Sequence, residues 1–137
     1  MMNSKTMIYD QTEKIYKPKW VLNINDISHL LYFNEKKSEY KKVNFVSKYI
    51  NDRIKYLYNN DEAQLQELLD NGKIYLYLNR LDKKANEVVY SQIEKWEKSD
   101  KEYKFSKSVG DIKREVGLYN NLKARAEEIM YREIIYV

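Results

Sequence analysis

One histidine, His29, and no cysteine set the first limit on the chemistry open to this chain. A single imidazole makes no His-His metal pair and no H-E-x-x-H zinc site, so His29 reads as a surface or core-edge residue. Without thiols there is no disulfide framework, no thiolate zinc site and no cysteine nucleophile, as suits a reducing compartment. Gly72, Gly110 and Gly117 are too scattered for a phosphate-binding loop, which leaves nucleotide hydrolysis unsupported. Carboxylates are plentiful, and Glu127, Glu128 and Glu133 stand beside Arg125 and Arg132. That spacing is the pattern of ion pairs along one helix, because a carboxylate metal site needs acids converging from several helices. No catalytic residue, metal site or cofactor is expected, and the chain reads as a non-enzyme.

The remaining chemistry lies in cations beside aromatic rings. Lys41, Lys48 and Lys55 are seven residues apart, and Phe45, Tyr49 and Tyr56 run alongside them. On one helix the three ammonium groups would form a stripe with intervals of about 10.5 Å. Lysines at such spacing neutralise phosphates, and neighbouring rings stack on bases. A protein interface or a solvated surface would use the same residues. Most of the fourteen tyrosines have the plainer role of lining half-buried faces with an apolar ring and a polar tip.

A helix from about Tyr40 to Tyr58 has to position that stripe. Val43, Val46, Ile50, Ile54 and Leu57 follow steps of three and four on the opposite face, the pattern of a buried seam. Asp61 and Gln64 open a short helix over Glu62 to Asn71, and Asn71-Gly72 closes it. A long helix follows from Ile74 to Ser99, then a charged turn from Asp100 to Ser108. The final helix, capped by Ser108 or Asp111, carries Ile112, Val116, Tyr119, Leu122, Ala126, Ile129 or Met130 and Ile134 on one face. Ile134 and Ile135 are expected to be docked. At the other end, residues 6 to 9 and 15 to 16 flank the polar turn Asp10 to Lys14 as a hairpin or clip ending at Pro18. Trp20-Val21-Leu22 lies on the bundle, and Asp26 caps a short helix from Ile27 to Phe33.

These elements predict a mainly α fold: an antiparallel bundle of three long helices and one short helix, with at most a small N-terminal β-hairpin. One domain spans 1–137, with residues 1–35 as hairpin and short helix and 36–137 as bundle. No helix-turn-helix with a short glycine turn stands out, so backbone contacts are favoured over base reading. Only three glycines and one proline argue against a many-stranded sandwich.

The net charge of +4 describes a mixed surface, but its distribution is uneven. Residues 36–58 hold seven basic and two acidic side chains, whereas residues 59–72 hold four acids and no base. No apolar run approaches the roughly 18 residues of a membrane span, and a cytoplasmic protein without membrane contact is expected.

Several short stretches resemble one family. They are Arg125-Ala126-Glu127-Glu128-Ile129 with Glu133-Ile134-Ile135-Tyr136, then Tyr58-Asn59-Asn60, Asn71-Gly72-Lys73, Leu78 to Asp82 and Ala85-Asn86-Glu87, with Tyr9, Tyr16 and Pro18 near the start. In order and wording they are similar to the TnpV family of transposon-encoded proteins. The resemblance implies a small protein of a mobile genetic element doing accessory work beside DNA recombination. The expected partner is therefore DNA or a recombinase. The alternative is a small inhibitor or adaptor that binds a host defence nuclease or another protein. A homodimer is compatible with either.

Overall fold

The computed structural model describes residues 1–25, 27–43, 47–99 and 101–137. Six strands precede five α-helices: β1 Met2–Asn3, β2 Met7–Asp10, β3 Ile15–Pro18, β4 Trp20–Asn23, β5 His29–Asn34, β6 Glu39–Val43, α1 Lys48–Asn60, α2 Glu62–Asp70, α3 Ile74–Ser99, α4 Lys101–Ser108 and α5 Ile112–Met130. A π-helical turn, Tyr131–Ile135, ends the chain's regular structure. The expected three-helix bundle is therefore wrong: this is an α+β protein whose first third is antiparallel sheet. Two compact units divide the chain, residues 1–82 and 83–137.

The expected N-terminal hairpin is present, but it is one part of a larger structure. Residues 2–10 pair antiparallel with residues 15–23, first as Met2 opposite Leu22 and Asn3 opposite Val21, then as Met7 opposite Pro18 through Asp10 opposite Ile15. Between these segments the register slips by one residue. The first arm therefore carries an extra residue across Ser4–Thr6, a β-bulge that bends the ribbon. Ser4 repairs the interrupted ladder, since its buried Oγ accepts from the Trp20 N–H at 3.0 Å and donates to the Thr6 carbonyl at 2.8 Å.

The helix expected over Ile27–Phe33 is strand β5. It pairs with β4 on one side and β6 on the other, giving the sheet order β1-β4-β5-β6. The helix expected from Tyr40 likewise begins as strand β6, and α1 starts only at Lys48. Asp26, Phe45 and Val46 lie outside the described residues. Leu22, Leu30 and Val43 align across the sheet and face Ile50, Ile54 and Leu57 of α1, Leu65 and Leu69 of α2, and Ile74 and Leu78 of α3. This is the core of the first unit.

Where local chemistry sets an element's ends, the expected helices are correct. Asp61 accepts from the Gln64 N–H at 3.2 Å and so starts α2. Gly72 stops it with φ +71, while the Gly72 and Lys73 N–H groups return to the Leu69 and Leu68 carbonyls. That pairing is the Schellman arrangement, in which a glycine accepts the left-handed conformation. Asp111 caps α5 by accepting from the Arg114 N–H at 3.1 Å. Residues 101–108, expected as a charged turn, form α4, so a three-residue connection containing Gly110 joins two helices.

In the second unit Ala85, Val89 and Ile93 of α3 and Leu122, Ala126 and Met130 of α5 are buried. Ile135 is fully buried and Ile134 half-buried, as expected for a docked end, while Ile112 and Val116 at the start of the same stripe are exposed.

Two stability measurements test these contacts. Ser4→Ala leaves the part-buried Trp20 N–H without its acceptor and should cost about 1–3 kcal/mol in urea unfolding. Truncation after Arg132 removes the buried Ile135 side chain, worth roughly 1.5–3 kcal/mol, and should lower the thermal midpoint. An unchanged midpoint in either variant would contradict the corresponding contact.

Candidate functional site

The lysines expected to form one stripe are placed on two different elements. Lys48 and Lys55 are on α1, where Lys48 is exposed in the first turn and Lys55 is half-buried two turns later. Lys41 is on β6, exposed, in a strand at the edge of the sheet. Lys41 and Lys42 are the type of residue that keeps an open edge from pairing with another chain. Phe45 is outside the described residues, so the structure does not place it.

The two tyrosines are half-buried on α1. Tyr49 donates its backbone N–H to the Ser47 hydroxyl at 3.1 Å, which caps the helix, and Ser47 in turn donates to the Asp82 carboxylate. Tyr56 lies beneath the guanidinium of Arg53, at 5.5 Å from its ring centre. Arg53 is itself buried and donates through Nε and Nη2 to the Tyr77 hydroxyl at 3.2 and 3.0 Å. Much of the Tyr56 ring's cation-binding face is thus used inside the fold.

Lys55 does line an open depression of about 510 Å³ with Ile24, Asn25, Tyr58 and Asn59. Ile24 and Asn25, just after β4, form one wall and α1 the other. The Ser28 N–H holds them together by donating to Asn51 Oδ1 at 2.7 Å. An ammonium, two carboxamides and a phenol line this open surface, all of them groups of the kind that donate to an anionic oxygen. Of these residues the sequence pattern singles out Lys55 alone; Asn25 comes beside α1 only once residues 29–34 are a strand.

Two other polar groups belong to the scaffold. His29 has Nδ1 at 3.2 Å from the Ile27 carbonyl and Nε2 at 3.2 Å from Asn23 Nδ2, which fits a ring that donates from Nδ1 and accepts at Nε2. Asp10, fully buried, accepts from the Ser38 hydroxyl and from the Thr12 N–H at 3.0 Å, and pairs with Lys17 Nζ at 2.9 Å. Lys17 also stands over the Phe33 ring, and the Tyr40 hydroxyl donates to the Pro18 carbonyl at 2.7 Å. These contacts fix the β2–β3 ribbon against the β5–β6 turn.

The outer face of that ribbon is a surface the sequence reading passed over. Tyr9 and Tyr16 pair across the strands with ring centres 5.1 Å apart, and both are exposed, as is Met7. The alternation of Met7 and Tyr9 against Ile8 and Asp10 was the available signal. At the C-terminal end Glu127 is half-buried and Glu128 and Glu133 are exposed. No group of three His, Cys, Asp or Glu side chains among the described residues is placed to hold a metal ion. No helix among them is long and apolar enough to cross a membrane.

Comparison with known protein families matches residues 27–135 to the family described as transposon-encoded protein TnpV. No curated protein and no solved structure matches the chain.

The Asp10 contacts have a measurable pH signature. The Ser38 hydroxyl, then Lys17 and the Thr12 and Glu13 N–H groups, outweigh burial and lower the carboxyl from its ordinary 3.8 to about 2. A depressed folded-state pKa stabilises the protein fully above the unfolded value, and the contribution is lost as pH falls through the folded one. Stability should therefore drop between pH 4 and pH 2 with a component that Asp10→Asn abolishes. Unfolding curves collected across that range would show it, and parallel acid limbs in parent and variant would count against the contact.

Proposed function

The chain belongs to the TnpV family of transposon-encoded proteins, and from that premise we propose that it is a non-enzymatic accessory protein that holds DNA by its sugar-phosphate backbone. The observation that carries this reading is the open depression beside α1. There Lys55, Asn25, Tyr58 and Asn59 offer donors to a phosphate, with Lys48 two turns along the same helix. Such contacts position a protein on a duplex without reading its sequence. The shallow, open form of the site suits a polymer backbone better than an enclosed small molecule.

Lys41 joins this reading as a cation on the preceding strand, with Tyr49 and Tyr56 supporting α1 and not stacking on bases. A second reading, a small inhibitor or adaptor that binds a recombinase or a defence nuclease, draws on the ribbon face of Met7, Tyr9 and Tyr16. An exposed aromatic strand pair is a common way to engage another protein chain.

Salt dependence separates the two. Phosphate contacts release counterions and weaken steeply as salt rises, whereas an apolar protein interface does not. Replacing Lys41, Lys48 and Lys55 together by Gln should leave the fold intact and lower the slope of log affinity against log salt on duplex DNA by roughly 0.9 for each phosphate no longer neutralised. A parent that binds no DNA at low salt would move the assignment to the protein-binding reading.

A further inference from the structure

We propose that α4, the turn Val109–Asp111 and the first half of α5 form a helix-turn-helix that reads base edges in the major groove of duplex DNA, with α5 as the reading helix. This rests on the DNA-binding function above and adds sequence recognition to it. The connection has the length such a motif uses: an eight-residue helix, three residues with a glycine, and a capped second helix. Gly110 makes the turn at φ +71, its N–H donates to the Lys107 carbonyl, and its carbonyl accepts from the Ile112 N–H at 3.0 Å.

The surface of α5 has the composition of a reading face. At 100° per residue, Ile112, Lys113, Val116, Gly117 and Asn120 share one side of the helix. Ile112 is 72% exposed and Val116 52%, although both continue the stripe that is buried at Leu122, Ala126 and Met130. The apolar stripe thus extends beyond what this unit covers. Lys113, Gly117 and Asn120 are also exposed.

That mixture matches the chemistry of a major groove. A carboxamide pairs with adenine, a lysine with guanine, and a branched aliphatic side chain packs on a thymine methyl. Gly117 adds an independent sign. A glycine inside a helix costs about 1 kcal/mol relative to alanine, and a Cβ here would meet nothing within 4 Å. No contact inside the described protein requires it, whereas a groove floor pressed against the helix would.

Lys104 and Lys107 of α4 are exposed, as is Arg114 beside the reading face, so this segment offers cations to a phosphate backbone. Charge also bears on the competitor, a second copy of this surface: residues 101–117 carry five basic against three acidic side chains, and that net positive charge favours a polyanion over a like-charged copy.

The test is selection by the full-length protein from a pool of duplexes with a randomised central segment, followed by affinity measurements on the enriched sequence and on the unselected pool. The expected result is enrichment of one short motif. Asn120→Ala should lower affinity for that motif about ten- to hundred-fold while binding the unselected pool as the parent does. Lys104→Gln with Lys107→Gln should weaken both alike. Unchanged circular dichroism in these surface variants confirms that folding is intact. A parent that binds the pool without enriching any motif, or an Asn120→Ala variant that keeps the parent's preference, overturns the proposal and leaves backbone binding standing. A parent that binds no duplex even at low salt removes both readings.

Discussion

The extra residue in the first arm of the N-terminal ribbon governs the geometry of the whole first unit. In an unbroken register β1–β2 and β3–β4 would run as one flat hairpin, with every side chain alternating cleanly between faces. One added residue across Ser4–Thr6 bends the ribbon and reverses that alternation, so Met2 faces the helices while Asp10 faces the β5–β6 turn. α2 holds the bend in place. Gln66 donates to the Asn3 carbonyl, the Lys5 N–H to Asp70 Oδ1 at 2.7 Å, and Thr6 Oγ1 to the Asp70 carbonyl. The polar contacts around Asp10 follow from a ribbon bent at that point.

Element ends that depend on neighbouring residues were legible in the sequence, and pairings that depend on distant ones were not. Asp61, Asn71-Gly72 and Asp111 announce their helix ends because each cap is a local hydrogen bond. Trp20–Leu22 and Leu30–Phe33 are short continuous apolar runs, which periodicity alone cannot assign to helix or strand. Val43 misled the reading in a specific way. It stands seven residues before Ile50, so a strand residue packed on the core looks like one more turn of α1. The Lys41, Lys48 and Lys55 stripe depended on that continuous helix and broke with it. Residues 101–108 lack an apolar period, which hid α4 and with it the short glycine turn.

The two units differ in how completely they cover their own apolar surface. In residues 1–82 the row Leu22, Leu30 and Val43 is matched by three helices, and the sheet's other face is partly closed by Lys17 and Tyr40 against Phe33. In residues 83–137 burial falls off along α5, complete at Met130 and lost at Ile112. Stability therefore concentrates toward the C-terminal half of that helix, which leaves the other half as surface. The family match begins at residue 27, so β1 through β4 lie outside it and the helical residues inside.

The clip between the first strand and α2 also bears on how the chain is made. Asn3 and Gln66 are 63 residues apart, and Lys5 and Asp70 are 65 apart. While the chain is being synthesised, the N-terminal arm emerges long before the groups that hold it. At ordinary elongation rates of about 5–20 residues per second, it waits several seconds for α2. During that interval the ribbon's own contacts can form, but the Asn3 carbonyl and the Lys5 N–H are left to water. Residues made early are thus among the last to reach their final place.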